Sequence, residues 1–201
     1  MDELTLLQAV RLKGRVRPAT LATTLDEDES TVNSKVQQLA EADLLASGST
    51  VRLSTAGRAR LDELLAAERL DVDGDAIMRS YEEFRGVNRN FKSLVSAWQL
   101  KDGEPNDHTD TDHDAAVLRS LDDVHRTVLP ILTAVAGQLP RLGSYAARLS
   151  AALEQIKAGD TSWFTRPLVD SYHTVWFELH EELIGAAGLT RADEANAGLD
   201  E

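Results

Sequence analysis

The chain of 201 residues contains no cysteine. That excludes a disulfide framework, a thiolate zinc site and a cysteine nucleophile. No uninterrupted apolar run reaches the roughly 18 residues that a membrane-spanning helix needs. The opening MDELTLLQAVRLKG starts acidic and is too polar for a secretory signal, so a cytoplasmic protein with no membrane partner is the expectation. Glycine-rich phosphate loops and dinucleotide turns are missing, and no nucleophile–base constellation stands out, so neither an enzyme nor a bound cofactor is expected. Lysine is scarce, at 5 against 16 arginines, and alanine, leucine and aspartate are heavily used, a balance that points to a high-GC bacterial genome. Aromatics are absent from the first 80 residues; all ten lie between Tyr81 and Phe177.

Charge is divided as unevenly as the aromatics. Residues 1–70 carry 9 basic and 11 acidic side chains, whereas residues 71–201 carry 12 and 23, which together give the net −13. The acidity of the second part would repel phosphate, so any nucleic-acid surface belongs to the first. Two domains with different work follow from this split. The boundaries expected are a first domain at 1–70, a linker at 71–78 marked by the Asp-rich turn and Gly74, a second domain at 79–189, and a polar tail at 190–201.

Leu4, Leu7 and Val10 recur at helical spacing, so residues 3–13 read as a helix that Gly14 stops. Pro18 suits the first turn of the next, with Leu21, Ala22 and Leu25 giving residues 18–25 an apolar stripe. Asp26 or Asp28 is placed to cap a third helix at about 29–42, and Asp26 with Glu29 has capping-box spacing. That helix buries Val32, Val36 and Leu39. Outward remain Ser30, Thr31, Asn33, Ser34, Lys35, Gln37 and Gln38, whose hydroxyl, amide and ammonium groups can bond phosphates and base edges. An ordinary solvent face has the same composition; the order of the surrounding elements favours the DNA reading. Leu44-Leu45-Ala46 and Val51-Arg52-Leu53 flank Ser47 to Thr50 as a short hairpin, after which Ser54 or Thr55 caps a helix carrying Leu61, Leu64 and Leu65.

These residues, LAT at 21–23, STVNSKVQQLAEADLL at 30–45 and VRLSTAGRARL at 51–61, resemble the winged helix-turn-helix regulators of the MarR class over about residues 3–69. The resemblance implies a recognition helix at 29–42 for the major groove and a wing with Arg52 at its root. Arg15, Arg17, Lys35, Arg52, Arg58 and Arg60 would hold phosphates. Asp26 and Asp43 stand where that class commonly has glycine, and Asp26 to Glu29 set four carboxylates at the end of the helix meant to approach the duplex.

Beyond the boundary, Tyr81, Phe84, Val87, Phe91, Leu94, Val95 and Trp98 fall at three- and four-residue steps, which predicts one amphipathic helix from Ala76 to about Leu100. KDGEPNDHTDTDH at 101–113 reads as a polar loop. Asp107, His108, Asp110, Asp112 and His113 are candidate ligands for a hard cation, although EF-hand spacing is missing; the alternative is a solvated loop ending in a cap at Asp112 or Asp114. A helix at 114–138, expected to kink at Pro130, and another at 141–158 follow. A last helix is expected from about Pro167, with Leu168, Tyr172, Val175, Leu179 and Leu183 in one stripe and Val169, His173, Trp176, His180 and Ile184 in a second. His173 and His180 lie about 10.5 Å apart along a helix axis, too far to share one metal ion. Asp122 is spaced to pair with His125 or with Arg126. Trp98, His125, Trp163, His173, Trp176 and His180 are the candidate lining of a ligand pocket, with a bundle core and dimer seam as the alternative.

Two looser resemblances concern this part. LSAALEQIKAGDTSWFTRPLVDSYH at 149–173 is similar to the helical domain of FCD-type regulators, which implies a metal held by three histidines and an aspartate; Leu149 stands where one of those histidines belongs, and no metal is expected here. NRNFKSLVSAWQL at 88–100 and WFTRPLVDSYHTVWFELHEEL at 163–183 look similar to helical segments accompanying phosphoenolpyruvate-utilising enzymes. The expected architecture is mainly α, with an N-terminal winged helix-turn-helix and a C-terminal four-helix bundle-like domain. The expected function is a homodimeric transcriptional regulator that binds double-stranded DNA and a small-molecule effector. The alternative, implied by the last resemblance, is an accessory subunit that contacts proteins and never touches DNA.

Overall fold

A computed structural model describes residues 1–196; the last residues of the expected polar tail, 197–201, lie outside the described part. The protein is mainly helical, with two small antiparallel hairpins. Its chain separates into two compact units, Met1–Val72 and Asp73–Glu201.

The first unit contains α1 (Glu3–Lys13), α2 (Pro18–Leu25), α3 (Glu29–Glu41), a hairpin of β1 (Leu45–Ala46) and β2 (Arg52–Leu53), and α4 (Thr55–Leu70). Its core is aliphatic throughout, built on Leu6, Leu7, Val10, Leu21, Val32, Leu39, Val51 and Leu61. Pairing of Leu45 with Leu53 and Ala46 with Arg52 sets the hairpin register. Val16, in the connector between α1 and α2, adds a third edge: it donates to and accepts from Val51 at 3.1 and 2.7 Å. Ser54 fixes how α4 leaves the hairpin, because its hydroxyl donates to the Asp43 carbonyl at 2.5 Å and accepts from the Gly57 amide at 2.9 Å. A Cβ on Gly57 would stand 1.9 Å from the Leu44 carbonyl oxygen, so this approach requires glycine.

Asp26 does not cap α3. It sits in the left-handed region at φ 52°, closing α2, and Asp28 occupies the N-cap position without a side-chain bond. Asp43 is left-handed too, at φ 60°. Both positions have the conformation that favours glycine, and aspartate is among the few other residues that tolerate it.

The second unit contains α5 (Gly74–Gln99), a hairpin of β3 (Leu100–Lys101) and β4 (Glu104–Pro105), α6 (Thr111–Gln138), α7 (Ser144–Lys157), α8 (Tyr172–Ala186) and the short α9 (Arg191–Asn196). Several boundaries differ from expectation for identifiable reasons. The expected linker at 71–78 is largely helix, since the Asp73 carboxylate accepts from the Ala76 amide at 3.0 Å and starts α5. The loop at 101–113 contains a hairpin because Asp102 and Gly103, at φ 54° and 86°, have the twin positive φ of a tight two-residue turn. Asp110, rather than Asp112 or Asp114, caps α6 by accepting from His113 at 3.0 Å. That helix runs through Pro130 as one element. Before α7 a single 3-10 turn spans Pro140–Gly143. The last long helix begins at Tyr172, not near Pro167, with Ser171 accepting from the Thr174 amide. Leu168, placed in the core stripe by sequence, is therefore outside the helix, left-handed at φ 64° and 97% exposed.

α8 is buried on more than one side. Toward α5 it presents Tyr172 and Trp176, which join Phe84 and Phe91 in an aromatic layer; Phe91 and Trp176 stack at 4.3 Å between centroids. Toward α7 and the turn before it, it presents Glu178 and Glu182, only 3% and 4% exposed. Arg148 meets Glu178 at 2.6 Å and Asp170 at 3.0 Å, and Arg141 meets Glu182 at 2.6 Å. Burial works against the Arg148 charge, but Glu178 and Asp170 outweigh it and hold the guanidinium firmly charged. The Tyr145 ring lies 5.0 Å from the same guanidinium. Burial, together with Glu182 and Glu178, pushes the Tyr145 hydroxyl far above its ordinary value, so it stays neutral.

Removing one partner from such a network leaves a buried charge uncompensated. Arg148→Met is expected to destabilise the second unit by about 3–5 kcal/mol, and Arg148→Met with Glu178→Met to recover more than half of that. Denaturant unfolding followed by tryptophan fluorescence checks it, because every tryptophan lies in this unit.

Candidate nucleic-acid interface and ligand groove

In the first unit α3 is amphipathic in the sense that matters for a binding face. Val32, Val36 and Leu39 are buried, whereas Ser30, Thr31, Asn33, Ser34, Gln37 and Gln38 are exposed and Lys35 is half-buried. The outward side chains are partly preorganised along the helix. Ser34 donates to the Ser30 carbonyl at 2.9 Å, Lys35 to Gln38 at 2.9 Å, and Gln37 to Glu41 at 3.0 Å. All these candidates thus share one solvent face.

Arg52 is exposed on β2. The Val16–Val51 bridge brings the segment carrying Arg15 and Arg17 beside the strand carrying Arg52, although 35 residues separate Arg17 from Arg52 in the sequence. Among the described residues Arg15, Arg17, Arg52 and Arg58 form no ion pair, whereas Arg60 is held by Glu3 at 2.8 Å and Glu63 at 3.2 Å. Arg60 therefore leaves the group of cations open to a phosphate. Within the acidic run, Glu27 is half-buried and pairs with the Met1 amino group at 3.2 Å, while Asp26, Asp28 and Glu29 stay exposed.

The six candidate pocket residues of the second unit divide. His173, Trp176 and His180, on α8, line one groove with Phe177. Its other wall is α5, which supplies Asn88, Phe91, Lys92, Val95 and Ser96, and Arg191 closes one end. The groove measures about 340 Å³. Trp176 is anchored by donating from Nε1 to the Asn88 carboxamide oxygen at 2.8 Å. Arg191 pairs with Glu181 and lies 4.7 Å from the Phe177 ring. Arg191, within the expected polar tail, thus contributes to the groove.

Trp98, Trp163 and His125 lie elsewhere. Trp98 is buried, its ring tilted against those of His108 and Phe164 at 4.4 and 5.4 Å between centroids. Trp163 is half-buried in a one-turn 3-10 helix, Thr161–Trp163. His125 is buried between three helices, with Nδ1 3.1 Å from the Tyr172 hydroxyl and Nε2 3.3 Å from Ser150 Oγ. Sequence spacing did not reveal this Ser150–His125–Tyr172 chain, since its members lie on α7, α6 and α8. It has the outline of a nucleophile and base, but a neutral tyrosine occupies the place of the orienting carboxylate. Burial, then the nearby Lys157, lowers the His125 pKa, and burial raises that of Tyr172. An imidazolium is thereby disfavoured, and what the chain does is join three helices through satisfied polar atoms.

The Asp- and His-rich loop resolves into local bonds. Asp107 accepts from Thr109, His108 lies 2.9 Å from Asp114, and His113 Nε2 lies 2.9 Å from the Ala97 carbonyl. Lys101, with the His113 amide, pulls Asp110 down to about 2. Among the described residues no group of three or more histidine, aspartate or glutamate side chains is placed to hold a metal ion. Asp122 pairs with Lys157 at 2.9 Å, and Arg126 pairs with Asp123 instead.

No protein family, curated protein or solved structure matches the chain.

The lowered pKa values of His125 and His173 fix a sign for stability against pH. Burial is the leading cause for each, so the unfolded chain binds these protons more readily than the folded one. Stability is therefore full above the ordinary histidine pKa of about 6.5 and falls as pH drops below it. Denaturant midpoints between pH 7.5 and 5 are expected to decline, with a shallower decline in His125→Gln; an unchanged slope in that variant would clear His125.

Proposed function

We propose that the first unit is a winged helix-turn-helix and that the protein is a DNA-binding transcriptional regulator. α3 serves as the recognition helix, entering the major groove with Asn33, Gln37 and Gln38 toward base edges and Ser30, Thr31, Ser34 and Lys35 toward phosphates. The β1–β2 hairpin is the wing, with Arg52 at its root. The observation that carries the reading is the combination of an outward array of short hydroxyls and amides on α3 with arginines beside the hairpin that form no ion pair among the described residues. Phosphate contacts position a protein on the duplex and base contacts specify it, and both sets of donors are available here. Helices α5 to α8 form a four-helix bundle-like sensing domain, and a two-fold homodimer lets paired recognition helices reach successive major grooves.

A second reading draws on Asp26, Asp28 and Glu29, exposed at the N-terminal end of α3. Three carboxylates there oppose phosphate and suit a protein-binding surface on an accessory subunit.

Fluorescence anisotropy of a labelled random duplex separates the two. At low salt the expected dissociation constant is tighter than about 100 µM, weakening steeply as salt rises. Lys35→Ala and Arg52→Ala are each expected to flatten the log–log salt slope by about one unit. Binding weaker than about 100 µM at low salt would overturn the regulator reading in favour of the protein-contact one.

A further inference from the structure

Among the described residues, two donors in the groove of the second unit have no acceptor. Asn88 is 7% exposed, and its carboxamide oxygen is taken by Trp176. Its remaining polar atom, the Nδ2 donor, has no acceptor among the described residues. A buried donor without an acceptor is costly, which makes an acceptor reaching it from the groove favourable. One helical turn further along the same face of α5 stands Lys92, half-buried and without a carboxylate partner among the described residues. This is unusual company for a lysine, because acidic side chains outnumber basic ones by 23 to 12 from residue 71 onward. Among the described residues no aspartate or glutamate lines the groove, and the charge of Arg191 at its end is already taken by Glu181, which leaves Lys92 as the cation open to a ligand. Phe91, Val95, Phe177 and the His173 ring add flat or apolar surface, beside the polar Ser96 and His180. Burial keeps His173 neutral at neutral pH, so it offers a ring face and one donor rather than a charge.

We propose that this groove binds a small organic carboxylate with a flat apolar body, its two oxygens accepting from Lys92 Nζ and Asn88 Nδ2. The hydrocarbon part lies along Val95, Phe177 and the His173 ring. A volume near 340 Å³ is at the lower end of small-molecule pockets, which suits a single-ring acid. The assignment rests on the reading of the second unit as the sensing half of a regulator and gives that half its ligand class. Inorganic phosphate would use the cation but not the apolar wall.

Isothermal titration of the full chain with benzoate, phenylacetate, neutral benzamide and inorganic phosphate tests it without DNA. At least one acid is expected to bind with a dissociation constant below about 1 mM, and benzamide and phosphate at least about tenfold more weakly. Lys92→Met should lose at least tenfold in acid affinity. Asn88→Asp, which keeps an acceptor for Trp176 but faces the ligand with a carboxylate, should lose as much; the thermal midpoint of each variant reports whether it is folded. Equal affinity for benzamide, tighter binding of phosphate, an unaffected Lys92→Met variant, or no acid binding up to about 10 mM would overturn the proposal. Repeating the duplex titration with the acid keeps the two readings apart. Acid binding without DNA binding removes the regulator and leaves the groove, and DNA binding without acid binding does the reverse.

Discussion

Glu178 and Glu182, a turn apart on α8, are almost wholly withdrawn from solvent, and the second unit is arranged around neutralising them. Isolated carboxylates at such depth would be untenable; Arg148 and Arg141 make them stable by direct contact, with Asp170 completing the set. Those pairs fix α8 against α7 and the turn before it. Once that face is fixed, the opposite face of α8 has a defined rotation, and Trp176 and Tyr172 fall onto Phe84 and Phe91 of α5. The groove is a consequence of the same rotation. Its α8 wall, His173, Phe177 and His180, is what remains when the charged side has turned toward α7 and the indole of Trp176 has turned toward α5.

The first unit solves a different problem with different means. It has no aromatic side chain and no buried ion-pair network to lock its elements, so backbone bonds carry more of the geometry. Val16 pairs with Val51, Ser54 ties the start of α4 to Asp43, and Gly57 lets α4 press against the Leu44 backbone. The left-handed Asp26 and Asp43 close α2 and the end of α3. Together they present α3 with its apolar stripe inward and its amides and hydroxyls outward. The same contacts bring Arg15 and Arg17 alongside Arg52.

Most helices were legible in the sequence, because apolar residues at three- and four-residue steps leave little choice of face. Ends were less so. Several aspartates compete to cap α6, and only geometry selects Asp110; Asp102-Gly103 is a hairpin signal hidden inside a stretch that reads as polar loop. Around α8, Pro167 was a plausible helix start, but Ser171 makes the cap and Leu168 is turned outward. Which side chains of α3 face outward was readable because they lie on one helix. The groove was readable by half: the α8 residues stood out as aromatics and histidines, while Asn88 and Lys92 looked like ordinary polar positions on α5. His125 looked like pocket lining and instead bonds Tyr172 and Ser150, a relation between three helices that no local pattern encodes.

We propose that α3 and the hairpin, rather than some other surface, meet a DNA duplex. Amide-resolved NMR of the isotope-labelled protein, titrated with a short duplex at low salt, tests it most directly. Shift changes are expected at residues 29–41 and 50–53 and in the Arg15 to Arg17 connector, fading as salt is added. Changes confined to residues beyond 73, or none at all, would contradict it.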